Sequence, residues 1–189
     1  MILVITFLRL FWSIQFHMAI IFLIVAKMNV NEAVEDEQKA IDEKWMHVAL
    51  ELAAEAVAKG EVPVGAVAVK NEQIISVGFN EKEATQDPTA HAEIIALRNA
   101  SVTVQNWRLL DVTLYCTLEP CPMCAGAMIQ ARLPRLVYGA RDTRFGADGT
   151  IVDVLGASGF NHTVQIRRGV LEIEAIALLQ LFFKQLRNK

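Results

Sequence analysis

Two short stretches constrain the fold of this chain more than any other feature, because their side chains can act together only if the fold joins them. The first contains His91 and Glu93, and the second contains Cys121 and Cys124. An imidazole and two thiolates are ligands that Zn²⁺ prefers, and three protein ligands leave a fourth position open for water. Zinc lowers the pKa of a bound water to near neutrality, and Glu93 is the nearest carboxylate in sequence to carry the proton.

The cysteine count argues against a disulfide framework. The chain has 189 residues and 3 cysteines, an odd number that suits a reducing compartment, so a cytoplasmic location is expected. With 53% apolar residues, the chain can bury one sizeable core. The net charge is −3, but basic residues are in excess over residues 98–189, where a surface facing phosphates is expected.

The N-terminal segment needs a separate interpretation. Residues 1–27 form an apolar extension, and residues 28–41 are acidic and polar, which is typical of a solvated linker. The extension is a membrane anchor, a segment with no folded role, or the result of a start assigned too far upstream, with Met28 the true start. Membrane association is therefore expected only through residues 1–26, and residues 42–189 form the catalytic domain.

The remaining pattern alternates between helices and strands. This order predicts an α/β fold, a three-layer α-β-α sandwich with a mixed sheet of about five strands. Helices are predicted from Asp42 as N-cap to Gly60, from Thr89 as N-cap to about Ala100, from Cys121, and from Leu171 to Leu186, with a possible short one at Ile151–Leu155. Strands are predicted at Val64–Val69, Ile74–Phe79, Val112–Thr117, Arg135–Gly139 and Thr163–Ile166. The first two are separated by the polar residues 70–73 and are predicted to form a hairpin.

The two side chains of the second stretch can readily face one metal ion, whereas those of the first stretch can do so only in a particular geometry. Cys121 and Cys124 lie one helical turn apart at a helix start, where the dipole and free amides favour thiolates. His91 and Glu93 are two residues apart, and such residues point to nearly opposite sides of an ideal helix. They can share a metal only if it approaches the helix end-on, and the sequence leaves that open.

Three longer motifs carry a family resemblance that covers about Trp45 to Arg187. They are Asp87-Pro88-Thr89-Ala90-His91-Ala92-Glu93, Thr117-Leu118-Glu119-Pro120-Cys121-Pro122-Met123-Cys124-Ala125-Gly126-Ala127-Met128, and Tyr138-Gly139-Ala140-Arg141-Asp142. These motifs closely resemble those of the bacterial tRNA-specific adenosine deaminases in the cytidine deaminase-like superfamily.

The resemblance implies a zinc-dependent hydrolase with one zinc ion per subunit. His91, Cys121 and Cys124 would bind the metal, and Glu93 would be the general acid and base for attack on C6 of adenine. The expected substrate is the wobble adenosine of a tRNA anticodon stem-loop, flipped into the pocket and released as inosine with loss of ammonia.

The resemblance also implies substrate contacts and a partner subunit. The implied substrate-binding residues are Asn80 at the pocket, Asp142 at a neighbouring ribose, and Arg144, Phe183 and Arg187 near the anticodon loop. Family members are usually homodimers, so a homodimer is implied. This chain departs from the family in its apolar N-terminus and in a C-terminal tail that is not strongly basic.

Two other functions compete with this interpretation. One is deamination of a free nucleobase, guanine or cytosine, and the other is a non-catalytic binding module built on a structural zinc with Cys116 as the fourth ligand. Plainer roles also compete for single residues: a surface ion pair for Asp142 and Arg144, and core packing for Phe183.

Overall fold

The computed structural model of the protein describes residues 32–188. The apolar segment 1–27 and the first part of the expected linker lie outside the described residues. A division between two units of the chain falls between Ile41 and Asp42. Within the described part of the chain, no helix is both long enough and apolar enough to span a bilayer.

The described residues form one mixed sheet of five strands. Its spatial order is β2-β1-β3-β4-β5; β1 runs antiparallel to β2 and β3, whereas β3, β4 and β5 are parallel. The strands are β1 (Gly65–Lys70), β2 (Gln73–Phe79), β3 (Thr113–Leu118), β4 (Arg135–Ala140) and β5 (Gln165–Arg167). Each strand predicted from the sequence is present, with ends that shift by one or two residues.

Helices cover both faces of this sheet and complete the three predicted layers. They are α1, which is described over residues 32–58, α2 (Lys82–Thr85), α3 (Ala92–Thr103), α4 (Pro122–Gln130) and α5 (Glu172–Arg187). The face of the sheet that carries Ala66, Leu114 and Tyr138 packs in one apolar core with α3 and α4. Gly65 approaches α1 and Gly139 approaches α5, so these two helices cover the opposite face. The α-β-α fold is confirmed.

The first two strands form the predicted hairpin. Asn71 and Glu72 make its turn with φ of 49° and 57°, the left-handed values that a tight type I′ connection needs at both positions. Lys70 and Gln73 pair directly across the turn, so each strand extends one residue into the polar segment that separates the two predicted strands.

Close packing at one glycine fixes the start of α3. A Cβ atom at Gly78 would lie 2.4 Å from the carbonyl oxygen of Ala92, so only glycine lets β2 and α3 approach this closely. The first turn of α3 is thereby held against the sheet, directly after His91.

The predicted start of the first helix was wrong. Residues 32–41, in the expected linker, are already helical, and Asp42 lies inside α1 rather than at its N-cap. The Asp42 carboxylate is buried and accepts hydrogen bonds from Arg135 and Tyr115. Its partners lie far along the chain, which a local capping pattern cannot reveal.

Two other segments differ from the local prediction. The stretch Glu81–Asp87, where neither a helix nor a strand was predicted, contains the short helix α2. Ile151–Leu155 forms no helix; Asp148 and Asp153 make an isolated bridge, and the Asp153 side chain accepts a hydrogen bond from the Gly156 N–H at 2.8 Å. Gly149, with φ of 92°, turns the loop in a direction that a helix cannot follow.

Candidate metal centre

The candidate site forms where the N-termini of α3 and α4 meet. His91 is the N-cap of α3, with extended backbone angles of −81° and 150°, and Cys121 is the N-cap of α4, with angles of −74° and 169°. Pro122 follows at the first helical position, where its missing N–H costs no hydrogen bond. The two helix starts bring His91 and the two cysteines of α4 into one group.

The three side chains form a nearly regular triangle. Each of the three edges, from Cys121 Sγ to Cys124 Sγ and from each sulfur to His91 Nδ1, measures 3.6 Å. Tetrahedral zinc with Zn–S of about 2.3 Å and Zn–N of about 2.0–2.1 Å needs ligand edges of about 3.5–3.8 Å. The donor set therefore fits one zinc ion.

The protonation of the two thiols differs. The pKa of Cys121 is lowered to about 4, chiefly by its hydrogen bond with Cys124 and also by the one with His91. The pKa of Cys124 is raised by its hydrogen bond with Cys121 and by burial. The pKa of His91 is raised, first by its hydrogen bond with Cys121. Metal binding would displace these shared protons, since metal ligands must be deprotonated.

Glu93 lies beside this triangle in the first turn of α3. Its side chain is 3% exposed, and burial raises the pKa of its carboxyl, which is also hydrogen bonded with Cys124. His91 can face the same point because its backbone is extended, so the rotation per residue of an ideal helix does not separate the pair.

The predicted N-cap at Thr89 was therefore wrong by two residues. Asp87 accepts hydrogen bonds from both the N–H and the hydroxyl of Thr89 at 2.7 Å, which holds Thr89 in a turn that precedes the helix. His91 takes the capping position instead.

Asn80 lies at the entrance to α3. Its side-chain oxygen accepts a hydrogen bond from the Ala92 N–H at 3.0 Å, and its amide nitrogen donates to the carbonyl oxygen of Val62 at 3.2 Å. This residue, singled out for substrate binding by resemblance, is thus also tied to the backbone next to His91.

The other candidate substrate residues lie on the loop after β4 and on α5. The Arg144 guanidinium lies 5.6 Å from the centre of the Phe183 ring, so the structure brings these two side chains together. Asp142 accepts hydrogen bonds from the backbone N–H groups of Arg144 and Phe145, at 2.8 and 3.2 Å. Arg187 is exposed in the last turn of α5.

Cys116 stands apart from the metal-binding group. Its buried thiol donates to the carbonyl oxygen of Leu118 at 3.0 Å. Among residues 32–188, the group able to hold a metal consists of His91, Cys121 and Cys124, with Cys116 outside it.

The loop after β4 is held by two carboxylates that sequence reasoning did not single out. Glu119 is 1% exposed and accepts hydrogen bonds from Asp142, Asp148 and Thr150. Asp148 accepts hydrogen bonds from the Tyr138 hydroxyl and from Arg168. The sequence feature that could have drawn attention to Glu119 is its position two residues before Cys121, inside the longest motif.

Comparison with known proteins agrees with this arrangement. The family model of the MafB19-like deaminases matches residues 41–187. The tRNA-specific adenosine deaminase of Haemophilus influenzae is 50% identical over 149 residues, covering 78% of this chain and 86% of that protein. The enzyme of the same name from Bacillus subtilis is 45% identical over 148 residues, covering 78% and 92%.

A solved structure matches as well. It comes from work on A-to-I editing by tRNA:A34 deaminases at the wobble position of transfer RNA. The two structures superpose with a TM-score of 0.70 at 38% sequence identity, covering 72% of this chain and 99% of that chain.

Proposed function

This chain belongs to the MafB19-like deaminase family and is a relative of the tRNA-specific adenosine deaminases, and we propose that it converts the wobble adenosine of a tRNA anticodon loop to inosine. The observation that carries the proposal is the 3.6 Å triangle of His91, Cys121 and Cys124 with the buried carboxyl of Glu93 against it.

The chain's own groups divide the work of the reaction. His91, Cys121 and Cys124 would hold zinc, which when bound supplies the Lewis acidity that lowers the pKa of a water to near neutrality. Glu93 would take the protons of that water and deliver one to N1 of adenine and the other to the departing amine. The C6–O bond forms, the C6–N bond breaks, and inosine and ammonia leave.

The surrounding residues would hold the RNA. Asn80 lies beside His91, where it can orient the flipped nucleoside. Arg144 and Phe183 together offer a cation and an aromatic face to the phosphates and unstacked bases of a single-stranded loop. Asp142 and Arg187 would contact the neighbouring ribose and the RNA backbone.

The enzyme is further proposed to be a cytoplasmic homodimer whose activity resides in residues 42–189. The free thiols of Cys116, Cys121 and Cys124 suit a reducing compartment. A depression on α3 and α4, lined by Ile94, Leu97, Arg98, Ser101 and Ala127, offers a surface for a second subunit. Light scattering of the purified protein is expected to give twice the chain mass.

The proposal is tested with a synthetic anticodon stem-loop that carries adenosine at the wobble position. The zinc-loaded protein should form inosine there, and a matched RNA with the adenosine moved to the neighbouring position should react far more slowly. The Glu93→Ala variant is the control for contaminating activity. Absence of inosine together with ammonia release from free guanine or cytosine would show that the substrate is a nucleobase instead.

A further inference from the structure

The buried carboxylate of Glu119 joins the metal-ligand turn to the loop after β4. Glu119 follows β3 and precedes Cys121 by two residues, and its own N–H donates to the carbonyl oxygen of Ala140 at 2.8 Å. Its side chain is 1% exposed. The same residue is therefore held between two adjacent parallel strands and next to a predicted metal ligand.

This carboxylate receives three hydrogen bonds from one segment of chain, residues 142–150. Its Oε2 accepts from the Asp142 N–H at 3.1 Å and from the Thr150 hydroxyl at 2.5 Å, and its Oε1 accepts from the Asp148 N–H at 2.9 Å. The segment is thus wrapped around a single buried carboxyl group.

Two further contacts bring the loop and the turn together at the same place. The Ala147 N–H donates to the carbonyl oxygen of Pro120 at 2.9 Å. A Cβ atom at Gly146 would lie 2.6 Å from the Glu119 carboxyl, a distance no side chain tolerates against a fixed group. The backbone therefore passes directly over the carboxylate.

The exposed end of this loop carries side chains that the proposed function assigns to the RNA. Asp142, whose N–H is bound to Glu119, uses its own Oδ1 to hold the N–H groups of Arg144 and Phe145. The chain of contacts runs from the turn before Cys121, through Glu119 and Asp142, to Arg144.

We propose that Glu119 is a positioning residue that sets Arg144 at a fixed place relative to the metal-binding turn, so that Arg144 contacts the RNA while the target base is in the site. The inference rests on the proposed function, because it concerns how that RNA is bound. It assigns Glu119 no contact with substrate and no part in the chemistry.

Replacement by glutamine tests the role with little change of shape. The glutamine amide nitrogen cannot accept a hydrogen bond, so Glu119→Gln must lose at least one of the three loop contacts. Thr150→Val removes one of the same contacts from the other side and serves if the first variant does not fold. Glu61→Gln is the matched control, since Glu61 is also buried and accepts a backbone hydrogen bond, from Ala84, away from this loop.

The measurement is the affinity for the anticodon stem-loop at several salt concentrations. All proteins are zinc-loaded and carry Glu93→Ala, so that the RNA is not consumed, and the dissociation constant is read by fluorescence anisotropy. Each phosphate contact to single-stranded nucleic acid contributes about 0.7 to the slope of log affinity against log salt. Arg144→Ala should therefore make this negative slope shallower by about 0.7. Glu119→Gln should make it shallower by nearly as much, with the affinity for the stem-loop reduced about tenfold at low salt.

A double-variant cycle separates positioning from general damage. If Glu119 acts through the loop, Glu119→Gln should change neither the slope nor the affinity further once Arg144→Ala is present. Glu61→Gln should leave the slope unchanged, and the zinc content of every protein should remain at one ion per chain.

The possible failures are distinguishable. If Arg144→Ala weakens binding but Glu119→Gln and Thr150→Val do not, or if the effects of Glu119→Gln and Arg144→Ala add, the positioning role is wrong and the proposed function stands. If the protein with all of these residues intact does not bind the stem-loop, the proposed function itself fails.

Discussion

Replacing Asp42 by alanine should destabilise the domain more than any exposed substitution on α1. The Asp42 side chain is 0% exposed, and its carboxylate accepts hydrogen bonds from Arg135 at 2.7 and 2.9 Å and from the Tyr115 hydroxyl at 3.1 Å. Burial and the neighbouring Asp42 raise the pKa of Tyr115, so its hydroxyl stays protonated and keeps donating. The variant would leave a cation and a buried hydroxyl without their acceptor.

The size of the stability loss in Asp42→Ala depends on how well water can hydrate the side chains that lose their partner. Breaking a buried ion pair by removing one member costs about 3–5 kcal/mol. Arg135 is 21% exposed and Arg167, also beside Asp42, is 36% exposed, so both guanidinium groups can hydrate and the low end applies. A loss of about 3–4 kcal/mol corresponds to a fall in Tm of roughly 6–16 °C for a domain of this size.

Thermal unfolding followed by circular dichroism measures this loss. Tyr115→Phe removes one hydrogen bond but leaves Asp42 paired with Arg135, so it should cost only about 1 kcal/mol. Glu51→Ala, an exposed acidic residue of the same helix, should stay within about 0.5 kcal/mol of the parent. A Tm for Asp42→Ala within about 3 °C of that of Glu51→Ala would refute the reasoning.

Three further predictions concern the site and the N-terminus. Glu93→Ala should keep its zinc, measured by elemental analysis, yet lose turnover by several orders of magnitude, since a positioned proton carrier contributes about 10²–10⁴-fold; near-normal turnover contradicts its role. Cys116→Ser should keep both zinc and activity while the matched Cys121→Ser loses both, because the Cys116 thiol donates to Leu118 outside the triangle; zinc loss in the first variant would favour a structural zinc site. A protein that begins at Met28 should retain the turnover of the full chain in the stem-loop assay, and inactivity would show that residues 1–27 are needed.

Much of the fold follows from patterns that are local along the chain. The hairpin was predictable because two apolar runs flank a short polar break, and the α-β alternation limited the layers to a few arrangements. The ends of elements were harder to predict. Thr89 is a residue type that often caps a helix, but its N–H donates to Asp87 in a turn before α3. Asp42 is also a common capping residue, but it is buried inside α1 and accepts a hydrogen bond from Tyr115.

The sequence by itself singled out His91, Cys121 and Cys124 as a donor set that zinc prefers, with Glu93 as the nearby carboxylate. The reaction class was implied by the resemblance that the three longer motifs carry, not by the spacing of these four residues. Only the tertiary structure decided how His91 and Glu93 face one point, since this depends on the extended backbone of His91 before α3. The tertiary structure alone revealed the hydrogen-bond partners of Asp42 and Glu119. Those hydrogen bonds join residues up to 93 positions apart for Asp42 and 31 for Glu119, and such contacts depend on the packing of the whole sheet rather than on any pattern in the neighbouring sequence.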